Sequence, residues 1–276
     1  MKYAVVNKAI GEIKSEPKKT SESIDEVLFG MNVEILKDVE NNWFYVRTFY
    51  KYEGYINGAD LIIDDKISKT WENEKNAVIM NSFADVLNKP EVSAYKIISL
   101  TRGSNLISTD DTSENKMFIK VKLPDSETGW IRKSFISKLI LAYDIKDEKN
   151  LRENLAKVAL SYLGTQYRWG GKSPLGIDCS GLCSMAYMLN GILIYRDAHI
   201  KKGFPIKEIP FNNIKKGDLI FFPRHVAMYL ENGNYIHSAT SNALVKIENL
   251  YENSDNYNEY LSKAPKRFGS IFFTNY

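Results

Sequence analysis

Asp178-Cys179-Ser180-Gly181 runs directly into Leu182-Cys183-Ser184-Met185-Ala186-Tyr187-Met188-Leu189, and Asn190-Gly191 follows. The apolar run reads as a helix closed by Asn-Gly. The segment before it, Trp169-Gly-Gly-Lys-Ser-Pro-Leu-Gly (169–176), reads as a glycine-rich loop. Cys179 therefore falls where a loop turns into a helix. The first amides of a helix carry partial positive charge and lack intrahelical partners. A thiolate there is stabilised, so the Cys179 pKa is expected below the free value of about 8.5. A nucleophilic cysteine needs a base, and the chain has only three histidines: His199, His225 and His237.

Working outward, residues 149–163 place apolar side chains at 151, 155, 158, 159 and 162, the stripe of an amphipathic helix, with Gly164 as its stop. Gly217–Phe222, His225–Leu230 and Tyr235–Ser238 read as consecutive antiparallel strands, so this part of the chain is α+β. His225 and His237 flank Glu231-Asn232-Gly233. A three-residue loop would set His225 opposite Ala239 and Ala227 opposite His237. Both histidines then share a face as a diagonal pair roughly 7–8 Å apart. A two- or four-residue loop would send them to opposite faces. The residues thus suggest a Cys-His-His constellation. Cys179 attacks a carbonyl, His225 exchanges the proton, His237 orients His225, and backbone amides including that of Cys179 hold the oxyanion.

Before residue 145, β-branched and aromatic runs alternate with polar turns: Met31–Leu36, Trp43–Phe49 and Gly54–Ile56, then Lys96–Leu100, Met117–Leu123 and Gly129–Ile131. The ends GYINGADL (54–61) and GWIRKSFI (129–136) correspond, which suggests two diverged copies of one small β unit. The expected organisation is multidomain, with β units over 1–65 and 66–140 and an α+β domain over 141–276.

Five motifs, Tyr167-Arg-Trp-Gly-Gly, Asp178-Cys-Ser-Gly, Gly217-Asp-Leu-Ile-Phe-Phe, His225-Val-Ala-Met-Tyr and Tyr235-Ile-His-Ser, resemble the NlpC/P60 cysteine peptidases, in that family's order. The match covers about 149 to 245. The β units resemble bacterial SH3-like barrels, and the whole chain is similar to the YkfC type, γ-D-glutamyl-L-diamino acid endopeptidases of murein peptides. The resemblance implies a papain-like third domain, with Cys179 as nucleophile, His225 as base and His237 as third member. It also implies a substrate with a free N-terminal amine, L-Ala-γ-D-Glu-diamino acid, whose ammonium Asp178 would meet. Tyr167 and Ser180 match positions lining the site, and Arg196 and Asp197 match a segment near it. Glu22 and Tyr52 of the first β unit are candidate contributors to one end of the groove, and Trp169 is a candidate cleft residue. Only Pro223 and Arg224 separate Phe222 from His225, where many relatives are longer.

The chain has 276 residues and a net charge of +3, too small to argue for a nucleic-acid or membrane surface. No apolar run approaches the roughly 18 residues a membrane helix needs, and Met1–Ile10 is too short and polar for a signal peptide. The expectation is a monomer without cofactor or metal, cytoplasmic if the chain is complete and secreted or wall-associated if a leader was removed. Cys183 is read as a core residue, His199 as a loop residue and Asp218 as a turn and cap device. Three alternatives stay open: a zinc site built from Cys179, His225, His237 and Asp178, a non-catalytic wall-binding protein, and a thiol amidase or acyltransferase on the same fold.

Overall fold

Polar turns cut the first half of the chain into short strands: β1 Lys2–Val6, β2 Ile10–Lys14, β3 Ser23–Leu28, β4 Asn32–Val39, β5 Trp43–Thr48, β6 Glu53–Asn57 and β7 Leu61–Ile62. Helix α1, Asp65–Glu74, follows. The strands then resume as β8 Ala77–Ile79, β9 Phe83–Leu87, β10 Lys96–Thr101, β11 Asn105–Thr112, β12 Phe118–Lys122, β13 Thr128–Arg132 and β14 Ile136–Lys138. This is a computed structural model, and it describes residues 2–143, 145–241 and 243–273.

The chain divides into two units, Met1–Leu139 and Ile140–Tyr276. The first holds two seven-stranded antiparallel sheets. Their strand orders are β3-β2-β6-β5-β4-β1-β7 and β10-β9-β13-β12-β11-β8-β14. Shifted by seven strands, the two orders are identical. The apolar positions alternate inward, and Phe29 of the first set packs with Ile79, Val86, Leu100, Leu106 and Ile131 of the second. Helix α1 was not expected, and the 65/66 boundary falls at its start. Asp64 caps it by accepting from the Ile67 amide, and the buried Trp71 indole donates to the Gly30 carbonyl at 2.8 Å.

In the second unit, α2 (Glu148–Leu160) packs on α3 (Cys179–Met188). A two-stranded hairpin, β15 Lys172–Ser173 and β16 Gly176–Ile177, precedes α3. The main sheet comprises β17 Lys207–Ile209, β18 Leu219–Phe222, β19 His225–Glu231, β20 Asn234–Ala239, β21 Leu244–Asn249 and β22 Arg267–Ser270, ordered β17-β22-β18-β19-β20-β21. Helix α3 lies against β19 and β20. A short helix α4, Glu259–Lys263, contributes Leu261 to a core with Ile220, Phe222, Tyr229, Tyr235 and Phe268. Among the described residues no helix is long and apolar enough to cross a membrane.

The β19–β20 turn differs from the expected three-residue loop. Glu231 pairs with Asn234, so the loop is the two residues Asn232-Gly233, both with positive φ (52° and 81°). That is the type I′ pattern that suits hairpin twist. A register shift at Leu230 then brings Tyr229 opposite Tyr235 and Met228 opposite Ile236. Continuing that register sets Ala227 opposite His237. The bulge restores the same-face register that a plain two-residue loop would have lost.

Gly233 is therefore a register-setting position. A Cβ there would lie 2.5 Å from the Tyr251 ring, at a φ that β-branched residues avoid. Gly233→Val should destabilise the protein by about 2 kcal/mol, lowering Tm by roughly 4–8 °C in a domain of this size. Calorimetry checks this, and an unchanged Tm would remove the turn from its assigned role.

Candidate active site

The site begins with Asp178, the N-cap of α3. Its backbone is extended, and Oδ1 accepts from the Gly181 amide at 2.6 Å. Such a cap satisfies one of the helix's orphan donors. Oδ2 accepts from the Gly170 amide at 2.9 Å, which ties the Trp-Gly-Gly loop to the helix start. Gly181 has no side chain because none fits: a Cβ would lie 2.2 Å from the Gly171 carbonyl oxygen.

Arg196 completes this arrangement. Its guanidinium is 2% exposed and donates to both Asp178 oxygens at 2.9 Å and to Ser180 Oγ at 2.7 Å. Ser180 Oγ in turn donates to Asp178 Oδ1 at 3.1 Å. This corrects the expectation for Asp178. Its carboxylate, anticipated to face a ligand ammonium, is instead engaged by a buried cation, two amides and a hydroxyl. Arg196 and Ser180 are brought to the site as expected, but as partners of Asp178. Asp197, the next residue, is half-buried and lines a cavity with Ser180, Cys183, Tyr195 and Val226.

Cys179 is the first residue of α3 and is buried. Its pKa is also a correction. Burial, and then the charge of Asp178, push the thiol up to about 11, against backbone hydrogen bonds from Val226 and Ser180 and the charge of Arg196. The Ser180 amide at the helix start does lower it, but burial outweighs that contribution. The resting cysteine is a neutral thiol.

The short Pro223-Arg224 turn pairs Phe222 with His225 and makes His225 the first residue of β19. His225 Nε2 lies 2.8 Å from His237 Nδ1. Burial, and then the neighbouring His237, lower the His225 pKa to about 4. His225 at rest is a neutral imidazole, next in sequence to the Val226 amide that reaches the Cys179 sulfur.

Glu248 on β21 escaped the sequence reading. Oε2 stands 2.9 Å from the buried His237 Nε2, close but off the ideal hydrogen-bond line. Its carboxylate also receives Lys246 and Asn258, and Tyr235 Oη at 3.3 Å. Burial works against ionisation, yet the His237 contact and hydrogen bonds from Lys246 and Asn258 hold its pKa down at about 2. The available signal was the alternation Lys246-Ile247-Glu248 on a strand facing Tyr235-Ile236-His237.

Tyr167 is partly buried beside the site. Burial, then the charges of Cys179 and Asp178, raise its phenol pKa, so it stays a hydrogen-bond donor. Trp169 is 59% exposed on the loop. Glu22 and Tyr52 lie in the first unit. The pairing of Lys14 with both Ser23 and Tyr55 brings them out at one end of that sheet. Cys183 is core, His199 is an exposed loop residue against Tyr195, and Asp218 is a buried cap held by Arg152, Ser270 and the Lys215 amide. Among the described residues no cluster of three or more His, Cys, Asp or Glu side chains is arranged to hold a metal ion.

Two outcomes follow. The ultraviolet thiolate absorbance of wild type minus Cys179→Ser should stay flat through neutral pH and rise only towards about pH 11. A difference signal at neutral pH would mean a preformed ion pair. Because His225 is depressed from 6.5 to about 4, the unfolded chain takes a proton that the folded state refuses, so Tm should fall as pH drops through that window. Separately, Arg196→Lys should cost about 3 kcal/mol or more, because an ammonium cannot replace the two-pronged contact with a buried carboxylate. Denaturant melts showing wild-type stability would contradict it.

Residues 164–263 match the model of the NlpC/P60 family, and residues 11–62 match that of the bacterial SH3 domain. Dipeptidyl-peptidase 6 of Lysinibacillus sphaericus is 45% identical over 270 residues, covering 98% of this chain and 99% of that protein. The γ-D-glutamyl-L-lysine dipeptidyl-peptidase of Bacillus cereus is 28% identical over 243 residues, covering 80% and 69%. An NlpC/P60 family protein from Bacillus cereus ATCC 10987 shares the fold, with a TM-score of 0.78 at 20% identity over 96% and 98% of the two chains. With a bacterial SH3 match ahead of a mixed α+β part that carries Cys179, His225 and His237, the chain belongs to the NlpC/P60 family.

Proposed function

We propose that the protein is a cysteine peptidase that hydrolyses the bond between γ-D-Glu and a diamino acid, L-Lys or meso-diaminopimelate, in peptidoglycan stem peptides. The observation that carries this is the cysteine at the start of α3, whose sulfur is reached by the backbone amide of Val226, next in sequence to His225, with the His225 and His237 ring nitrogens 2.8 Å apart. The name of the Bacillus cereus relative, γ-D-glutamyl-L-lysine dipeptidyl-peptidase, supports the bond type, and that of the Lysinibacillus sphaericus relative supports a peptidase.

The reaction runs from a neutral pair. Cys179 attacks the carbonyl carbon while its proton moves to His225, so the nucleophile is generated as it is used. The oxyanion meets the amide of Cys179, which has no intrahelical acceptor. The protonated Tyr167 phenol is a second donor of suitable type. His225 then gives its proton to the leaving amine, and water, deprotonated by His225, releases the acyl group.

The amine of the N-terminal L-Ala needs a carboxylate. With Asp178 engaged by Arg196, Asp197 is the residue we assign to it. Asp197 lines a cavity with Ser180, and its carboxylate also accepts from the Tyr195 hydroxyl. An acetylated substrate cannot form the charge-assisted hydrogen bond that the free ammonium forms with Asp197, and that loss explains the discrimination. We also propose that the first unit is two SH3-like modules. The identical strand orders support this, although the SH3 match covers only residues 11–62. A stem peptide is small, and every catalytic group named comes from one chain, which fits a monomer.

The test is hydrolysis of L-Ala-γ-D-Glu-L-Lys beside its N-acetylated twin, with products identified by mass spectrometry. The free-amine peptide should be cut at the γ-D-Glu–Lys bond and the acetylated one spared. Cys179→Ala should abolish turnover with the fold intact. Asp197→Asn should raise KM for the free-amine peptide by about 10–100-fold and shrink the discrimination. Cleavage of neither peptide by folded, reduced protein rejects the proposed activity. Full discrimination by Asp197→Asn rejects only the amine assignment.

A further inference from the structure

His237 is buried between two polar groups, and each ring nitrogen of a neutral imidazole is either a donor or an acceptor. An ionised carboxylate can only accept. The group beside His237 Nε2 is Glu248 Oε2, at 2.9 Å. The proton of His237 therefore belongs on Nε2, because a lone pair there would face carboxylate oxygen. Its Nδ1 is then an acceptor, and the 2.8 Å contact with His225 Nε2 requires the hydrogen to come from His225. That leaves one nitrogen of His225 with a lone pair, Nδ1.

We propose that Glu248 is a positioning residue: it fixes the tautomers of His237 and His225 in series, so that Nδ1 of His225 is the atom left to take the Cys179 proton. This rests on the cysteine-peptidase reading given above. In the step itself the S–C bond forms, the carbonyl pair moves onto oxygen, and the S–H proton passes to His225 Nδ1. The C–N bond then breaks as that proton goes to the leaving amine. Glu248 stays anionic throughout and gains no proton. It stabilises the imidazolium through His237.

The environment keeps this carboxylate charged and still. His237 pairs with Lys246 across the β20–β21 ladder, and Tyr235 pairs with Glu248, so the four side chains share a face. Lys246, Asn258 and Tyr235 all reach the Glu248 carboxylate. The Tyr235 ring lies 5.2 Å from that of His237. The groups facing the histidine pair are thus Glu248, Lys246, Tyr235 and, on the cysteine side, Asp178.

The experiment has two arms. Ring-nitrogen NMR of wild-type protein labelled at histidine resolves three side chains, and His199→Gln assigns the loop residue. Both His225 and His237 should carry hydrogen on Nε2; either ring with hydrogen on Nδ1 at neutral pH overturns the proposal. In the second arm, Glu248→Gln, folded by circular dichroism, should lose about 100-fold in kcat with KM little changed. The acid limb of its pH–rate profile should move to lower pH, because the removed negative charge was favouring protonation of the pair. Wild-type kcat with an unmoved acid limb overturns it too. If Glu248→Gln does not fold, the wild-type spectrum alone decides. If wild type cleaves no stem peptide, the peptidase reading fails, and the spectrum still judges the tautomers.

Discussion

At the root of α3 an ionised carboxylate and a guanidinium are taken out of water together. Removing either charge from solvent costs several kcal/mol, and only dense, well-directed hydrogen bonding offsets it. Asp178 and Arg196 meet that condition through two contacts of 2.9 Å, with the Gly170 and Gly181 amides and the Ser180 hydroxyl filling the remaining directions. Three nearby pieces of chain are thereby pinned at one point: the glycine loop, the first turn of α3, and the segment carrying Asp197. The direction in which Cys179 leaves the helix is set there.

The other half of the site depends on hairpin geometry. A tight turn at Pro223-Arg224 starts β19 on His225, and the Asn232-Gly233 turn with its bulge brings His237 to the same face. β21 then adds Lys246 and Glu248 to that face. Neither half is strained towards charge separation at rest. Burial favours thiol over thiolate and imidazole over imidazolium, so in the proposed reaction charge appears only when a carbonyl is present to receive it. In that proposal the anionic Glu248 behind the histidines gives the transient cation its counterpart.

Much of this was legible in the sequence because it follows from periodicity and punctuation. Strands β4, β5, β6, β10, β12, β13, β18, β19 and β20, the α2 and α3 segments, the loop before Cys179 and the candidate cysteine and histidines come from patterns of apolar residues, glycines and rare histidines. What was not legible depends on competition between effects that a sequence does not weigh. Helix-terminus stabilisation of Cys179 was a sound argument, overcome by burial that only the folded chain reveals. The turn at Asn232-Gly233 was misjudged by one residue, and a compensating bulge returned the expected register. Asp178 was expected to await a ligand, but Arg196, eighteen positions away, was already its partner. Glu248 lay outside every motif, and strand pairing alone brings it to His237.

The neutral resting state of Cys179 has a consequence for durability. Peroxide and other oxidants attack thiolates, and the irreversible rungs of sulfur oxidation are reached through that form. A sulfur kept protonated and buried until a substrate arrives is a poor target for such damage. The same desolvation that makes the thiol a sluggish acid therefore gives the idle enzyme chemical resistance.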